Sequence, residues 1–396
     1  MSAGEEVKQA RPTGADMNRR DLAKMALGGA ALLSSADRGS AKPAPIPPGV
    51  KIAAQVRDPT PENFVYLKQM GVTWLSIGDP TPETSTAEGF AKFRRQWEAG
   101  GFKVFNESSR LAPSGNPILN VPEIVLNLPG RDQRIEEYLN YIRYLGQAGI
   151  PYMTYAFEAL GNWRSGQAVT PRGYVSSDCD LASPALQGGG WGPRVYKDPE
   201  GVGRVYTPDE IWDNFTYFIK KVAPVAEAAG VRIGIHPDDP PMPVLGRVPR
   251  LFTSFASFQK GLEIANSPNI GMCLCVGTWL EGGPRMGKDP ADVIRYFGPR
   301  KKLFKIHFRN VTAPLPHFTE TLMDDGYYDM YKIMEALVEV DFDGIVIPDH
   351  IPALGRIPGA RGDAPGGNTG LDPALAYSIA YLNATLRAVR SAKRRA

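Results

Sequence analysis

From Lys51 onward, short apolar and β-branched runs alternate with longer stretches whose apolar positions recur every three or four residues. The first pattern is that of buried strands, the second that of helices laying one face on a core. Strand candidates are Lys51–Val56, Thr73–Gly78, Lys103–Glu107 and Tyr152–Phe157, followed by Arg232–His236, Asn269–Val276, Leu303–Asn310 and Gly344–Asp349. The helical pattern covers Pro61–Met70, Ala87–Ala99, Arg131–Ala148 and Pro208–Ala229, and continues over Phe252–Ala265, Pro290–Phe297, Asp329–Val340 and Pro373–Ala392. Gly71, Gly149 and Gly230 each follow a helix, where a left-handed residue closes the last turn. Eight strand–helix repeats predict an α/β fold, a closed (β/α)8 TIM barrel. Two stretches rich in Gly, Ser and Pro, Gly161–Tyr206 and Pro352–Gly370, read as long structureless lid or binding loops.

The first forty residues do not follow this pattern. Asn18-Arg19-Arg20-Asp21-Leu22-Ala23-Lys24 precedes an apolar, small-residue stretch, Met25–Leu33, then Ser34, Ser35, Ala36 and a Pro-rich run from Pro43 to Pro48. A basic start, a short apolar core and small residues before a polar linker describe an export signal, and the paired arginines resemble a twin-arginine signal. The expected division is an export signal and linker over 1–45 and a catalytic barrel over 46–396. Met17 is an alternative start, and cleavage after Ala36 or Ala41 fits equally. This reading makes the twin-arginine machinery a partner and the location periplasmic or exported; without the signal it would be cytoplasmic.

Composition narrows the function classes. The chain of 396 residues is 43% hydrophobic and 22% charged, with no run long enough for stable membrane insertion. A net charge of +3, without a Lys/Arg stripe among aromatics, gives no support for nucleic-acid binding; Lys393-Arg394-Arg395 reads as a solvated terminus. No GxGxxG or GxxxxGK[ST] follows the first strand, so no nucleotide-binding sheet is expected. Cys179, Cys273 and Cys275 are too few for a disulfide framework. Cys273 and Cys275 share one strand face, and spacing alone does not say which does chemistry. A homo-oligomer is compatible with the sequence.

Of the four histidines, His236, His307 and His350 sit at the C-terminal ends of predicted strands five, seven and eight. That is the barrel face on which active sites are built. Cys275 ends strand six and Asp349 ends strand eight. Two imidazoles, a thiolate and a carboxylate suit a borderline divalent ion such as Mn, Fe, Co or Zn, whereas Ca and Mg prefer oxygen throughout. Asp238 and Asp239 could instead cap a turn, and His317, between prolines, reads as a loop residue.

The runs around these residues resemble the mannonate dehydratase family, a branch of the xylose-isomerase-like barrels. His-Pro-Asp-Asp-Pro-Pro stands at His236–Pro241, Gly-x-x-x-Cys-x-Gly-Thr at Gly271–Thr278, His-x-Arg-Asn-Val at His307–Val311 and Pro-Asp-His at Pro348–His350. Further matches are Glu107-Ser108-Ser109, Pro129-Gly130-Arg131-Asp132 with Glu137-Tyr138, Trp163-Arg164, Phe318-x-Glu320 and Asp329-Met330. The resemblance selects Cys275 over Cys273 and implies metal ligands at His236, Cys275, His307 and Asp349, with Mn(2+) or Fe(2+) as the divalent metal. It puts proton transfer on His350 and substrate contacts at Glu107, Arg164, Asp238 and Arg309. Arg164 and Arg309 are candidates for the substrate carboxylate, which a guanidinium matches with two parallel hydrogen bonds, or for structural ion pairs. The implied reaction is dehydration of a small-molecule sugar acid, D-mannonate, to 2-dehydro-3-deoxy-D-gluconate, a step of hexuronate catabolism.

The sequence also departs from the family. Arg-Pro-Asp-His-Gly is replaced by Ile347-Pro348-Asp349-His350-Ile351, and the Gly-Tyr pair before the last helix has no counterpart in Gly366–Leu371. A metal-dependent sugar or sugar-acid isomerase or epimerase on the same barrel is the alternative reading. A non-catalytic exported carbohydrate-binding barrel is a third, and His350 beside an intact donor set argues against it.

Overall fold

Eight parallel strands close into a barrel in the order expected of consecutive strand–helix units. They are β1 (Lys51–Val56), β2 (Trp74–Ile77), β3 (Lys103–Glu107), β4 (Tyr152–Tyr155), β5 (Arg232–Ile235), β6 (Ile270–Cys275), β7 (Leu303–Phe308) and β8 (Ile345–Pro348). The helices are α1 (Pro61–Gln69), α2 (Ala87–Ala99), α3 (Arg131–Gln147), α4 (Pro208–Ala229), α5 (Phe255–Ala265), α6 (Pro290–Phe297), α7 (Met330–Glu339) and α8 (Pro373–Lys393). The computed structural model describes residues 42–78, 81–107, 111–119, 121–189, 196–197, 203–354 and 372–395. Residues 1–41, over which the export signal is expected, Ser108-Ser109, most of the expected loop Pro352–Gly370 and Gly366–Leu371 lie outside the described residues.

Local chemistry explains the element boundaries. Pro at the first position follows an N-capping side chain in α1 (Thr60), α4 (Thr207), α6 (Asp289) and α8 (Asp372). These caps satisfy amide groups that the helix itself leaves orphaned. Thr207 and Glu210 complete a reciprocal capping box. Gly71, Gly149 and Gly230 adopt φ of +71°, +72° and +67°, as the sequence requires of them. Inside the barrel, Ala53, Phe105, Tyr152, Phe304, Ile345 and Ile347 form an apolar layer. Ile347 completes that layer, and Ile351 packs in the cluster that holds Leu375 and Ile379. Both departures at strand eight are thereby accommodated by burial. Among the described residues no helix is long and apolar enough to cross a membrane.

One expectation is corrected. Gly161–Tyr206 is not structureless: it contains Trp163–Arg164, Gly166–Val169, Val175–Asp180 and Gln187–Gly188 as antiparallel strands. Gly166–Val169 and Val175–Asp180 join His317–Thr321 and Asn310–Val311, from the segment after β7, in a four-stranded sheet. Short strands whose polar positions face solvent on the rim leave little periodic signal, which is why composition alone read them as loop. His317 opens a strand opposite Asp180.

Candidate metal centre

Residues that alternate along a strand share a face, so the strand ends aim their chemistry inward. Cys275 ends β6 and lies in register with His307 of β7. His236 directly follows β5, its amide donating to the Tyr155 carbonyl at 2.7 Å. The ligand atoms of His236, Cys275 and His307 all lie within 4.8 Å of one another, and all three residues are buried. Asp349, one residue past β8, abuts this group. Its Oδ2 is 3.5 Å from Cys275 Sγ, and its Oδ1 is 3.6 Å from His307 Nδ1.

The cluster fits a divalent ion by its own chemistry. Neither ring nitrogen of buried His307 has a hydrogen-bond partner. Such orphaned polar atoms cost free energy unless something binds them. His236 Nδ1 stands 2.7 Å from the Pro237 carbonyl, a contact that sets the tautomer with the lone pair on Nε2. Burial pushes His236 down to about 4 and His307 well below the usual imidazole range, so both rings stay neutral. Burial works against ionising Cys275 and pushes its thiol up. The Thr278 amide and Arg309 Nη2, each 3.5 Å from Sγ, favour the thiolate that a bound ion would complete. Burial alone would raise Asp349 too, but His350, His307 and Arg309 outweigh it and hold the carboxyl well below its ordinary range. Cys273 stays apart: burial pushes its thiol up to about 11, and Thr154 Oγ1 is 3.8 Å from its sulfur.

Around the cluster lies a buried ion network that sequence reasoning mostly missed. Arg309 Nη1 donates to Glu281 Oε1 at 2.6 Å and to Glu320 Oε1 at 2.9 Å, while its Nε faces Asp349 Oδ2 at 3.3 Å. Arg164 grips Asp239 with two bonds, 2.5 and 3.0 Å, and reaches Glu320 Oε1 at 2.7 Å. The Arg309 side chain is wholly buried and Arg164 is 14% exposed. Both guanidinium groups are engaged by protein carboxylates, as in the structural ion pairs that are one of the two readings of the sequence. Gly277 makes room for this: a Cβ there would come within 2.5 Å of Arg309 Nε.

The two aspartates after His236 have different partners. Asp238 accepts from the Phe252 amide at 2.9 Å, and burial pushes it up to about 6. It pins a turn, whereas Asp239 enters the ion network. Burial would raise Asp239, but Arg164 and Arg309 hold it well below its ordinary range. Glu107 ends β3, buried, and accepts from Tyr141 Oη at 2.8 Å. His317 is exposed and pairs with Asp178 at 3.0 Å. Glu281 carried no sequence signal, being a single acidic position in an otherwise apolar helix, Val276–Gly282.

His350 completes the centre. Its Nδ1 stands 2.9 Å from Glu320 Oε1, its Nε2 faces Asp349 Oδ1 at 3.9 Å, and 35% of the side chain is exposed. Burial would lower it, but Asp349 and Glu320 push it up to about 8.

The comparisons agree with this geometry. A family profile described as D-mannonate dehydratase (UxuA) matches residues 203–396. A mannonate dehydratase of Streptococcus equi subsp. zooepidemicus is 32% identical over 300 residues, 71% of this chain and 78% of that protein. Mannonate dehydratase 2 of Halalkalibacterium halodurans is 31% identical over 287 residues, 68% of this chain and 80% of the relative. The crystal structure of mannonate dehydratase from Streptococcus suis serotype 2 superposes with a TM-score of 0.70 at 27% identity, covering 87% of this chain and 96% of that one. A xylose isomerase domain protein from Planctomyces limnophilus, at 12% identity and a TM-score of 0.52, shares the fold. The donor set at the strand ends, the motifs that carry it and this level of identity together establish that the chain belongs to the mannonate dehydratase family.

Proposed function

We propose that this protein dehydrates D-mannonate to 2-dehydro-3-deoxy-D-gluconate, using a divalent ion held by His236, Cys275, His307 and Asp349. The observation that carries the reading is His350, whose Nε2 stands 3.9 Å from the carboxylate of Asp349. A bound ion would supply Lewis-acid stabilisation of negative charge on the substrate oxygens. The protein's own part is proton handling and exclusion of water. The proton beside the substrate carboxylate must leave, and the neighbouring hydroxyl must depart as water. His350, tied at Nδ1 by Glu320 and open at Nε2, suits proton transfer to that departing hydroxyl. The buried ion network keeps the donor set rigid beside it.

The mixed nitrogen, sulfur and oxygen donors support Mn(2+) or Fe(2+) as the ion. The arginine pair, the apolar run and the small residues before Pro43 support twin-arginine export, with the barrel delivered folded. On this reading the substrate is a free sugar acid from hexuronate breakdown, and a homo-oligomer remains compatible.

Incubating the purified, Mn-loaded protein with D-mannonate and following keto-acid formation tests the assignment. Product is expected. No product at any metal loading would overturn it, and exchange of solvent deuterium into sugar acids without net product would favour an isomerase or epimerase instead.

A further inference from the structure

Glu320 is not among the clustered donor residues, yet one of its oxygens gathers two guanidinium groups and an imidazole nitrogen. Oε1 accepts from Arg164 Nη2 at 2.7 Å, from Arg309 Nη1 at 2.9 Å and from His350 Nδ1 at 2.9 Å. Glu320 itself is 1% exposed. It rides on His317–Thr321, whose Phe318 and Thr319 pair with Cys179 and Asp178 of the excursion after β4. His350 needs such a hold. Its backbone lies at φ +43°, off the strand geometry of β8, and a third of its side chain is open. An imidazole so placed rotates freely unless one nitrogen is tied down, and a carboxylate tying Nδ1 fixes both tautomer and ring direction.

We propose that Glu320 is a positioning residue for His350, holding its Nδ1–H so that Nε2 faces Asp349 and the donor cluster. The inference rests on the reading of His350 as the proton-transfer group. The competing role for Glu320 is charge neutralisation of Arg164 and Arg309 alone.

Two variants separate these roles. Glu320→Asp keeps the charge but withdraws the acceptor by one methylene, whereas Glu320→Gln keeps an acceptor of the right length and removes the charge. Histidine-selective 15N NMR on the zinc-loaded full chain reads the contact without substrate. A downfield, slowly exchanging Nδ1–H is expected, assigned to His350 by its loss in His350→Gln, retained in Glu320→Gln and lost in Glu320→Asp. Its absence from the unsubstituted protein, or its persistence unchanged in Glu320→Asp, overturns the proposal. In the mannonate assay Glu320→Asp is expected to lower kcat about a hundredfold, with KM and metal content unchanged, and Glu320→Gln to retain more activity. Glu320→Asp with unaltered kcat, beside an impaired Glu320→Gln, shows charge neutralisation alone. A protein that does not dehydrate mannonate sinks the functional reading, while the NMR still decides the positioning role.

Discussion

Cys275 and His307 are register partners across the β6–β7 ladder, so the sulfur and the imidazole meet at the mouth of the barrel by backbone pairing alone. Their mutual distance is therefore fixed by the barrel and owes nothing to loop conformation. His236, the residue after β5, is held by its own amide, which donates to the Tyr155 carbonyl of β4 at 2.7 Å.

Removal of a donor should therefore remove the ion without unfolding the protein. Cys275→Ala and His236→Ala are each expected to weaken divalent-metal affinity by about 100-fold or more, since even loss of an outer partner of a ligand costs about 10- to 100-fold. Metal analysis after gel filtration checks this. Unchanged metal content would refute the ligand assignment.

Arg309 is buried among Glu281, Glu320, Asp239 and Asp349, and its loss leaves those carboxylates uncompensated. Arg309→Leu is expected to destabilise by about 3–5 kcal/mol in urea unfolding. Arg309→Lys should rescue little, because an ammonium cannot reproduce the planar fork that spans these partners.

Gly277 owes its place to the path of the Arg309 side chain, which fills the space a Cβ would need. Gly277→Ala is expected to cost about 1–3 kcal/mol, as overpacking does in a filled interior. The control is Gly287→Ala, where no neighbour lies within 4 Å but φ is +81°, so any cost there reports backbone strain alone. Equal losses in thermal unfolding would show that crowding of Arg309 adds nothing.

Adjacent aspartates should behave oppositely. Asp238→Asn keeps an acceptor for the Phe252 amide and removes a carboxyl already raised toward neutrality, so a loss under about 1 kcal/mol is expected. Asp239→Asn breaks the paired grip on Arg164 and should cost about 3–5 kcal/mol. Denaturant midpoints of the two variants give the comparison directly.

The ion network also dictates a pH response with two opposing parts. Burial would raise Glu320, but His350, Arg309 and Arg164 bring it down to about 2. A depressed carboxyl contributes stability that is present above its unfolded value of about 4.3 and lost as pH falls through about 2. Glu281 is the reverse case: burial, with Asp239 adding to it, pushes it up to about 8. Its contribution is present below about 4.3 and is lost as pH rises through about 8. Glu281→Gln should accordingly match the parent protein only below about pH 4.3 and exceed it by a margin that grows as pH rises to about 8. Equal stability of the two at pH 9 would contradict a neutral Glu281.

Most of the barrel was readable because each strand is a short apolar run and each helix carries capping chemistry at its ends. Lys51–Val56 and Lys103–Glu107 coincide with the observed strands, and the others differ by one or two residues at their ends. The histidines and Cys275 were readable because rare residue types fell at equivalent strand ends. Glu281 and Asp239 were not, since a lone carboxylate looks the same whether it faces solvent or a buried guanidinium. Their role depends on Arg164 and Arg309, which lie far away in the chain, and that pairing is a property of the closed barrel.

The four-stranded rim sheet joins segments that are more than a hundred residues apart, and it carries Glu320 but none of His236, Cys275 and His307. Glu320 nonetheless meets the strand ends through one guanidinium, since Arg309 binds Glu320 with Nη1 and faces Cys275 and Asp349 with Nη2 and Nε. A single buried arginine thus spans rim and strand ends, so a change of side chain on the rim is felt at both levels of the barrel mouth.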